Sequence, residues 1–523
     1  MQAADASRRW TLVAAVLGSA TVYLDSTIVN VALERIGEQL PSHLFGKLEG
    51  QSYVYNGYLL SLSALIILAG ALTDYYGRRR MFVIGLGGFG LTSALCGLAP
   101  NLELLVMFRI IQGAAGALLV PGSMALINTH FDEADRPRAY GIWAAASSAT
   151  TTLGSPIGGI LVDTLSWRAA FLINLPITAV ALGLTLAHVT ETRDEHATGH
   201  FDWLGAGVIA LGIGGLAFGG IRGQESNWQA ASAFVALAIG LIACAAFVPL
   251  MRRSRNPLVP LELFRARNFT VMNLSTLVIY GALYVSYYVQ ALFYQGALGY
   301  SALAAGLASL PSGVMIASFS TAAGSLAARF GLRRFLVLGP TLMGCGLLWL
   351  SRIPASSATW AARAGDPVSL IPPAGYIIDV LPAALAFGAG AAVMVAPLTS
   401  VLMSSVPDEH SGLASAINNA ISRIGPQLAG ALVFIAVTAS FYSALARQLP
   451  GVDTTSTDVR AAVAPLNRPA SDAAPELAQA SKEASATAFS LATRLAAVLL
   501  FSGAAINGIG LRGAIAGAKA PSP

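Results

Sequence analysis

Long apolar stretches separated by short polar segments occupy most of this chain. A helix that crosses a hydrocarbon core of about 30 Å needs roughly 20 predominantly apolar residues. Stretches of that length, bounded by charged residues, proline or glycine, begin near residues 11, 53, 81, 102, 139, 167, 203, 230, 270, 302, 333, 375, 411 and 487. The pattern predicts an all-α membrane protein with about fourteen transmembrane helices.

Arginine is concentrated at every second connection between the predicted spans. If the N-terminus is cytoplasmic, these inner connections carry Arg78, Arg79 and Arg80, then Arg136 and Arg138, Arg193, Arg252, Arg253, Arg255, Arg265 and Arg267, and finally Arg329, Arg333 and Arg334. The positive-inside rule then places both termini in the cytoplasm. We therefore predict a multi-pass protein of the cell inner (plasma) membrane. Its first span is expected to stay in the mature protein, because its apolar run is too long for a signal peptide.

The composition narrows the class of protein. Of the 523 residues, 55% are hydrophobic and 11% are charged, whereas soluble domains carry roughly 25% charged residues. A soluble domain, a disordered chain and, with 3 cysteines, a disulfide scaffold are excluded. The net charge of +5 does not indicate a nucleic-acid partner, because membrane proteins gather arginine on the cytoplasmic side. The cysteines lie inside apolar spans, so we expect no disulfide and no metal.

A short motif occurs twice and divides the chain into related halves. The segment Gly70–Arg80 (GALTDYYGRRR) recurs at Gly324–Arg334 (GSLAARFGLRR), each time at an inner turn between two spans. Transporters are commonly built from duplicated halves, so we predict two six-helix bundles related by a pseudo-two-fold axis along the membrane normal. The predicted domains are the N-terminal bundle at 1–190, linkers with an extra helix pair at 191–268, and the C-terminal bundle at 269–523, which includes a long, flexible outer loop at 446–486.

Five motifs in a fixed order carry a family resemblance. They are Leu24–Leu33 in the first span, the Gly70–Arg80 loop, Arg109 with Gln112-Gly113, Trp167–Pro176, and Asn256–Phe264. Together they resemble the fourteen-helix drug:proton antiporter family of the major facilitator superfamily, along nearly the whole chain. The resemblance implies the major facilitator fold with two additional linker helices and a proton-driven efflux cycle without a cofactor.

The loop motif and a glycine-rich fifth-helix motif are the predicted conformational switch. Its residues are Gly70, Asp74, Gly77, Arg78, Arg79, Gly154, Pro156, Gly158 and Gly159. An acid and an arginine at an inner turn can pair in one state of an alternating-access cycle and separate in the other; the alternative for the arginines is ordinary positive-inside topology. The chain departs from the family pattern twice: Ser155 holds the proline position of the fifth-helix motif, and Ala328 replaces the acid in the second loop copy.

Asp25 and Arg109 are the candidate proton-coupling residues. An ionisable side chain near the middle of a membrane helix costs about 2.5–3.5 kcal/mol on insertion scales, so it usually faces a cavity and has a function. A carboxyl in such surroundings is a natural group to bind and release a proton. Two alternatives stay open: Asp25 could be a structural carboxylate satisfied by the hydroxyls of Thr21 or Ser26, and Arg109 could belong to a helix-packing ion pair.

Polar and aromatic side chains inside the spans are the candidate substrate contacts. They are Asn30, Gln112, Tyr280, Tyr284, Tyr288, Gln290, Asn418, Asn419 and Arg423. The tyrosines recur at helical spacing and offer apolar area, cation-π faces and hydroxyls to an amphipathic ligand. Packing and an interfacial aromatic belt are the alternative explanation. With Asp25 as the main acid, we expect monovalent cations or neutral amphiphiles as substrates.

The sequence thus predicts a proton-driven exporter of lipophilic compounds such as drugs. An exporter of an endogenous lipid, siderophore or metabolite by the same mechanism is the alternative, because a fold does not define a substrate. A membrane sensor or lipid-handling enzyme is disfavoured, since Walker A, HExxH and GxSxG motifs are absent from the sequence. We expect a non-enzymatic monomer whose partners are its small-molecule substrate, protons and membrane lipids.

Overall fold

The computed structural model of the protein describes residues 2–42, 47–132, 135–193, 201–226, 230–254, 257–259, 261–363, 365–406, 411–470 and 472–511. Apart from an isolated bridge between Arg363 and Asp366, the regular structure in these ranges is helical. The all-α fold predicted from the apolar pattern is confirmed.

The bounds of the helices follow the apolar stretches. The first nine are α1 (Gln2–Gln39), α2 (Lys47–Tyr76), α3 (Arg78–Gly97), α4 (Leu102–His130), α5 (Arg136–Thr164), α6 (Ala169–Leu172), α7 (Asn174–His188), α8 (Trp203–Glu225) and α9 (Ala231–Arg253). The others are α10 (Arg267–Gly296), α11 (Ala302–Phe330), α12 (Leu332–Leu350), α13 (Leu381–Ser404), α14 (Ser411–Gln448), α15 (Thr457–Ala462) and α16 (Pro475–Gly510). Short 3-10 helices lie at Leu261–Arg265 and Pro367–Leu370, and a π-helical turn at Tyr376–Val380 leads into α13.

Fourteen helical segments of the described residues correspond to the predicted spans, if α6 and α7 are taken together. Twelve of these segments are long and apolar enough to cross a membrane. The other two are α5, which is rich in serine, threonine and glycine, and α12, which begins with Leu332-Arg333-Arg334. Polar residues at these positions lower the mean hydropathy of a helix without shortening it.

The first of two compact units consists of residues Met1–Glu225, Ala230–Ala266 and Met403–Ile424. In this unit α1 packs against α4, α5 and α7, and α3 packs against α4 and α7. The extra pair α8 and α9 packs together, and α8 attaches the pair to α2. An apolar core that includes Ile28, Val29 and Phe171 lies between α1 and its neighbours.

Glycines allow the closest helix crossings of this unit. A Cβ atom at Gly154 on α5 would overlap Oγ1 of Thr27, and one at Gly158 would lie 3.0 Å from the Cα of Ile28. Between α8 and α9, a Cβ at Gly215 would lie 2.9 Å from the Cα of Gly240. Small residues let membrane helices approach to backbone contact, so the α1–α5 distance depends on these positions.

The second unit consists of residues Ser226–Gln229, Arg267–Leu402 and Gly425–Pro523. Here α16 packs against α10 and α12. Gly425 of α14 crosses α10 so closely that a Cβ would overlap the carbonyl oxygen of Leu277, and Gly281 meets the same crossing from the other side. The second unit therefore repeats the glycine-mediated crossing that joins α1 to α5.

The duplicated loop motif forms the same turn in both units. Gly77 between α2 and α3 has φ 109° and ψ 134°, and Gly331 between α11 and α12 has φ 99° and ψ 120°. Side chains other than hydrogen rarely tolerate this backbone region. Both turns consist of one residue, because α2 ends at Tyr76 and α3 begins at Arg78, as α11 ends at Phe330 and α12 begins at Leu332.

The 446–486 segment is more regular than the flexible loop that the sequence predicts. It contains α15, and α16 begins at Pro475, inside the predicted loop. Val463 and Leu466 are buried, and the backbone amide of Leu466 donates to Oγ of Ser485 at 3.2 Å. The predicted loop is therefore partly helical, and its flexibility stays a prediction. Its alanine- and serine-rich composition resembles a linker, although its few apolar side chains pack against the helices.

Candidate functional site

Asp25 lies near the middle of α1 with its side chain fully buried. Its Oδ2 accepts a hydrogen bond from Nη1 of Arg109 at 2.5 Å. Its Oδ1 accepts one from Nε2 of Gln112 at 3.1 Å and another from Nδ2 of Asn174 at 3.0 Å. The carboxylate on α1 is thereby bonded to α4 and α7, with three donors directed at its two oxygens.

Arg109 is also fully buried and is held on several sides. Its Nε donates to the carbonyl of Val54 on α2 at 3.1 Å, and its guanidinium lies 4.1 Å from the centre of the Tyr58 ring. The close approach of α4 to α2 is possible because the next turn of α4 has Gly113, where a Cβ would overlap the Tyr58 carbonyl. A buried ion pair is stabilising only when further hydrogen bonds satisfy its partners. Nε and Nη1 of Arg109 have such bonds, whereas Nη2 is buried without a hydrogen-bond partner among the described residues.

Two amides complete the buried cluster. The Gln112 oxygen accepts from Nη1 of Arg109 at 2.8 Å and from Sγ of Cys96 at 3.6 Å, while its nitrogen donates to Asp25. The Asn174 nitrogen donates both to Asp25 and to Oγ of Ser93, which lies 3.1 Å away on α3. We call Asp25, Arg109, Gln112 and Asn174 the buried polar cluster. It joins five helices of the first unit, α1 to α4 and α7, at one charged pair.

The two alternatives left open by the sequence have different outcomes. The hydroxyls of Thr21 and Ser26 donate to carbonyls of their own helix, those of Leu17 and Tyr23, each at 2.8 Å. Among the described residues, the donors to Asp25 come instead from α4 and α7. Arg109 forms an ion pair between α4 and α1. This pair is compatible both with a role in helix packing and with a role in proton exchange. The coupling role of both residues remains a prediction.

The predicted substrate contacts lie on four helices, α1, α4, α10 and α14. Gln112 belongs to the buried polar cluster and is inaccessible in this structure, whereas Asn30 is half-buried further along α1. Tyr280, Tyr284 and Tyr288 are half-buried on one face of α10, and the rings of Tyr280 and Tyr284 are 6.4 Å apart. Their role in substrate binding is still a prediction.

The other polar candidates lie on α10 and α14. Gln290 accepts a hydrogen bond from the hydroxyl of Tyr294 at 3.3 Å and lines a small cavity with Tyr287 and Phe387. Asn418, Asn419 and Arg423 are half-buried on α14.

The predicted conformational-switch residues contact a further acid, Glu191, that is not part of either predicted switch motif. Asp74 pairs with Arg78 at 3.1 Å across Gly77. Glu191, just beyond α7, accepts hydrogen bonds from the backbone amides of Arg79 and Arg80 at 3.0 Å each. It therefore caps the N-terminus of α3, where free N–H groups and the helix dipole favour a negative charge.

Close packing surrounds the remaining switch residues. Nη2 of Arg79 donates to the carbonyl of Leu186 at 2.7 Å, which gives α7 a second bond to the start of α3. Gly70 is half-buried on α2, whereas Gly159 is buried on α5 beside the Gly158 crossing. Pro156 lies inside α5, two residues from each of the close-packed glycines Gly154 and Gly158.

Three side chains of the site were not predicted from the sequence. Asn174 stands in a motif quoted for its resemblance, but it carries no charge that would mark it as costly in a membrane. Tyr58 looks like an ordinary packing residue in the sequence. Its cation-π contact with Arg109 becomes visible only in the structure. Glu191 could have been noticed, because an acid within a basic inner connection needs an explanation.

No metal site is apparent in the described part of the chain. It contains no group of three or more His, Cys, Asp or Glu side chains placed to hold a metal ion. Cys96, Cys244 and Cys345 are free thiols.

The described residues form fourteen helical segments in two units with duplicated turns, and the first unit contains a fully buried acid–arginine pair. These features are typical of multi-pass secondary transporters. Comparison with known proteins places the chain within that class. The chain belongs to the major facilitator superfamily, whose family model matches residues 15–431.

Curated relatives are resistance and export proteins. The multidrug resistance protein Stp of Mycobacterium tuberculosis (strain CDC 1551 / Oshkosh) is 35% identical over 435 residues, which cover 83% of this chain and 76% of the relative. The tetracenomycin C resistance and export protein of Streptomyces glaucescens is 32% identical, covering 82% and 75%. The methylenomycin A resistance protein of Streptomyces coelicolor is 30% identical, covering 77% and 80%.

Solved structures agree with the fold. An auto-inhibited peptide transporter of the POT family superposes with a TM-score of 0.62 over 96% of both chains, at 12% sequence identity. A bacterial homologue of the human lysosomal transporter Spinster, in an inward-facing and unoccupied conformation, gives a TM-score of 0.59 over 96% of this chain and 97% of that chain, at 15% identity. At these identities the likeness concerns the fold alone.

Proposed function

We propose that the protein is a proton-coupled antiporter that exports lipophilic and amphipathic small molecules, such as drugs and monovalent organic cations, by alternating access. The observation that carries the proposal is the buried polar cluster, in which the carboxylate of Asp25 and the guanidinium of Arg109 are paired at 2.5 Å without solvent exposure. The relatives, which are named as multidrug and antibiotic resistance proteins, support export as the direction and drugs as the substrate class.

In this proposal Asp25 exchanges protons and Arg109 controls the exchange. The ionised carboxylate is stabilised by Arg109 and the two amides, so the cluster holds together while Asp25 is deprotonated. A proton on Asp25 removes the charge that Arg109 pairs with and weakens the link between α1 and α4. Proton binding thereby favours a different arrangement of these helices, which is the differential interaction that a coupled conformational change requires.

The substrate class follows from the charges available. Among the described side chains, Asp25 is the buried carboxylate and Arg109 the buried cation. A dication would need a second acid, so monovalent cations and neutral amphiphiles fit better. The tyrosines of α10 supply aromatic faces for such ligands. We further propose a monomer in the plasma membrane with both termini in the cytoplasm, which the arginine-rich turns at Gly77 and Gly331 support.

The test is transport in proteoliposomes with an imposed pH gradient and a fluorescent lipophilic cation. Wild type is expected to show gradient-driven flux and Asp25→Asn to lose it. Asp453→Asn is the matched control: Asp453 is exposed in the turn before α15, and the hydrogen bond from the Thr455 hydroxyl lowers the pKa of its carboxyl, so it stays ionised at neutral pH. Equal flux from Asp25→Asn and wild type would contradict the proposal. Flux from neither would favour a narrow endogenous substrate.

A further inference from the structure

The side-chain amides of Gln112 and Asn174, which donate to Asp25, differ in how easily they can rotate by half a turn and exchange the positions of their oxygen and nitrogen. The oxygen of Gln112 is engaged by Nη1 of Arg109 at 2.8 Å, so a rotation of this amide would place an NH₂ group against the guanidinium. The oxygen of Asn174 is buried and has no hydrogen-bond partner among the described residues. Its nitrogen makes both of its bonds, to Asp25 and to Ser93. Asn174 alone of the two can therefore reverse without breaking a bond made by its oxygen.

Protonation of Asp25 creates a need for such a reversal. An ionised carboxylate only accepts hydrogen bonds, whereas a carboxylic acid also donates one. With Nη1 of Arg109 at Oδ2, the incoming proton goes to Oδ1, where the two amide nitrogens already lie at 3.0 and 3.1 Å. An O–H group would then face two N–H donors. One amide has to present its oxygen instead.

We propose that Asn174 is a positioning residue that responds to the protonation state of Asp25 by turning its amide; this inference rests on the proposed coupling role of Asp25. Rotation about the last side-chain torsion of asparagine is two-fold, so both orientations are accessible. With Asp25 ionised, Nδ2 donates to Oδ1. With Asp25 protonated, Oδ1 of Asn174 accepts a hydrogen bond from the acid O–H, and the amide gives up the two bonds that Nδ2 donates.

Ser93 makes the reversal possible on the other side of the amide. Its hydroxyl donates to the carbonyl of Phe171 at 2.9 Å and accepts from Nδ2 of Asn174 at 3.1 Å. After the reversal the hydroxyl can turn to donate to Oδ1 of Asn174, because a serine oxygen is both donor and acceptor. Its single proton then no longer goes to the carbonyl of Phe171. The protonation state of Asp25 on α1 would thus change the hydrogen bonding of Asn174, of Ser93 and finally of the Phe171 carbonyl.

Other charged and titratable groups also act on this site. Asp25 and Arg109 interact electrostatically with Tyr58 on α2 and with Cys96 on α3, and Tyr58 also interacts with Tyr23 on α1 and Arg423 on α14. A change at Asn174 leaves all of these groups in place, so a shift in the proton affinity of Asp25 is attributable to the amide. Hydrogen bonds to an ionised group are roughly twice as strong as neutral ones. Replacing Asn174 by an apolar residue should therefore destabilise the ionised form of Asp25 more than the protonated form.

The experiment is an infrared pH titration of the purified full-length protein in detergent. The protonated-carboxyl band that is absent from Asp25→Asn reports Asp25 directly and needs no transport substrate. In Asn174→Leu, and in Asn174→Ala if the leucine is too bulky, the midpoint of this band should move by about one pH unit toward alkaline pH. The matched control is Asn507→Leu, because Asn507 is equally buried but its nitrogen donates to the backbone carbonyl of Leu336 at 3.0 Å.

The outcomes separate the inference from the function on which it rests. An alkaline shift in the Asn174 variants, with an unchanged midpoint in Asn507→Leu, supports the inference. Unchanged midpoints in the Asn174 variants, or an equal shift in Asn507→Leu, would overturn it while leaving Asp25 as the coupling acid. Identical wild-type and Asp25→Asn titrations would overturn the coupling role itself and the inference with it. A purely structural role for Asn174 would lower thermal stability without moving the midpoint.

Discussion

At the scale of single residues, the buried polar cluster depends on mutual satisfaction of its charges. Asp25 and Arg109 have no solvent exposure, so each is stabilised only by the groups around it. Removing one member of a buried pair leaves an uncompensated charge, whereas replacing both can be nearly neutral. The cluster should therefore respond to single and double substitution in different ways.

We predict that Arg109→Gln lowers the free energy of unfolding by about 3–5 kcal/mol. The double variant Asp25→Asn/Arg109→Gln should recover most of that loss, because it has no buried charge left unpaired. Unfolding in detergent, followed by circular dichroism for the single and double variants, measures the coupling. If the two single effects simply add, the ion pair does not contribute to stability as described.

A second prediction at this scale concerns the turn glycines. Gly77→Ala and Gly331→Ala both force a Cβ into a backbone region that costs about 1–3 kcal/mol. Gly77→Ala should cost more, because its Cβ would lie 2.6 Å from Oε1 of Glu191, while Gly331 has open space. Comparing the thermal unfolding of the two variants isolates the Glu191 contact. A larger loss for Gly331→Ala would contradict this account.

At the scale of helices, the α1–α5 crossing is set by glycines. Gly154→Ala is expected to lower stability by about 1–3 kcal/mol, since its Cβ would overlap Thr27 and overpacking moves the backbone. Gly183→Ala on α7 is the control: its Cβ meets no neighbour, and alanine favours a helix by about 1 kcal/mol over glycine. Thermal unfolding of both variants gives the comparison. Equal losses would show that the crossing is not tightly packed.

The helices themselves were predictable, because apolar periodicity and arginine placement are properties of sequence alone. Asp25 and Arg109 were found because charge in an apolar span is costly. Asn174 was not, since a neutral amide gives no such signal and its partners are 81 and 149 residues away. The order within 446–486 was missed for a related reason: Leu466 is bonded to Ser485 only after the chain has folded.

At the scale of the whole molecule, orientation is the property that remains to be measured. We predict that Asp453→Cys, in a variant without the three native cysteines, reacts with a membrane-impermeant maleimide added to intact cells. Ser254→Cys, at the end of α9 next to Arg252 and Arg253, should react only after the cells are opened. The reverse pattern would place the termini outside. The positive-inside rule gives the expected sign, because the arginines lie on the Ser254 side.

The one-residue turn at Gly77 also has a mechanical consequence. Because α2 ends at Tyr76 and α3 begins at Arg78, no slack separates the two helices. Glu191 ties the start of α3 to the end of α7, and Arg79 adds a second attachment there. A displacement of this end of α2 should therefore displace the start of α3 and the end of α7 by a similar amount. The three helix ends should therefore move as one rigid body. A longer, flexible linker at position 77 would let α2 move without moving α3 and α7.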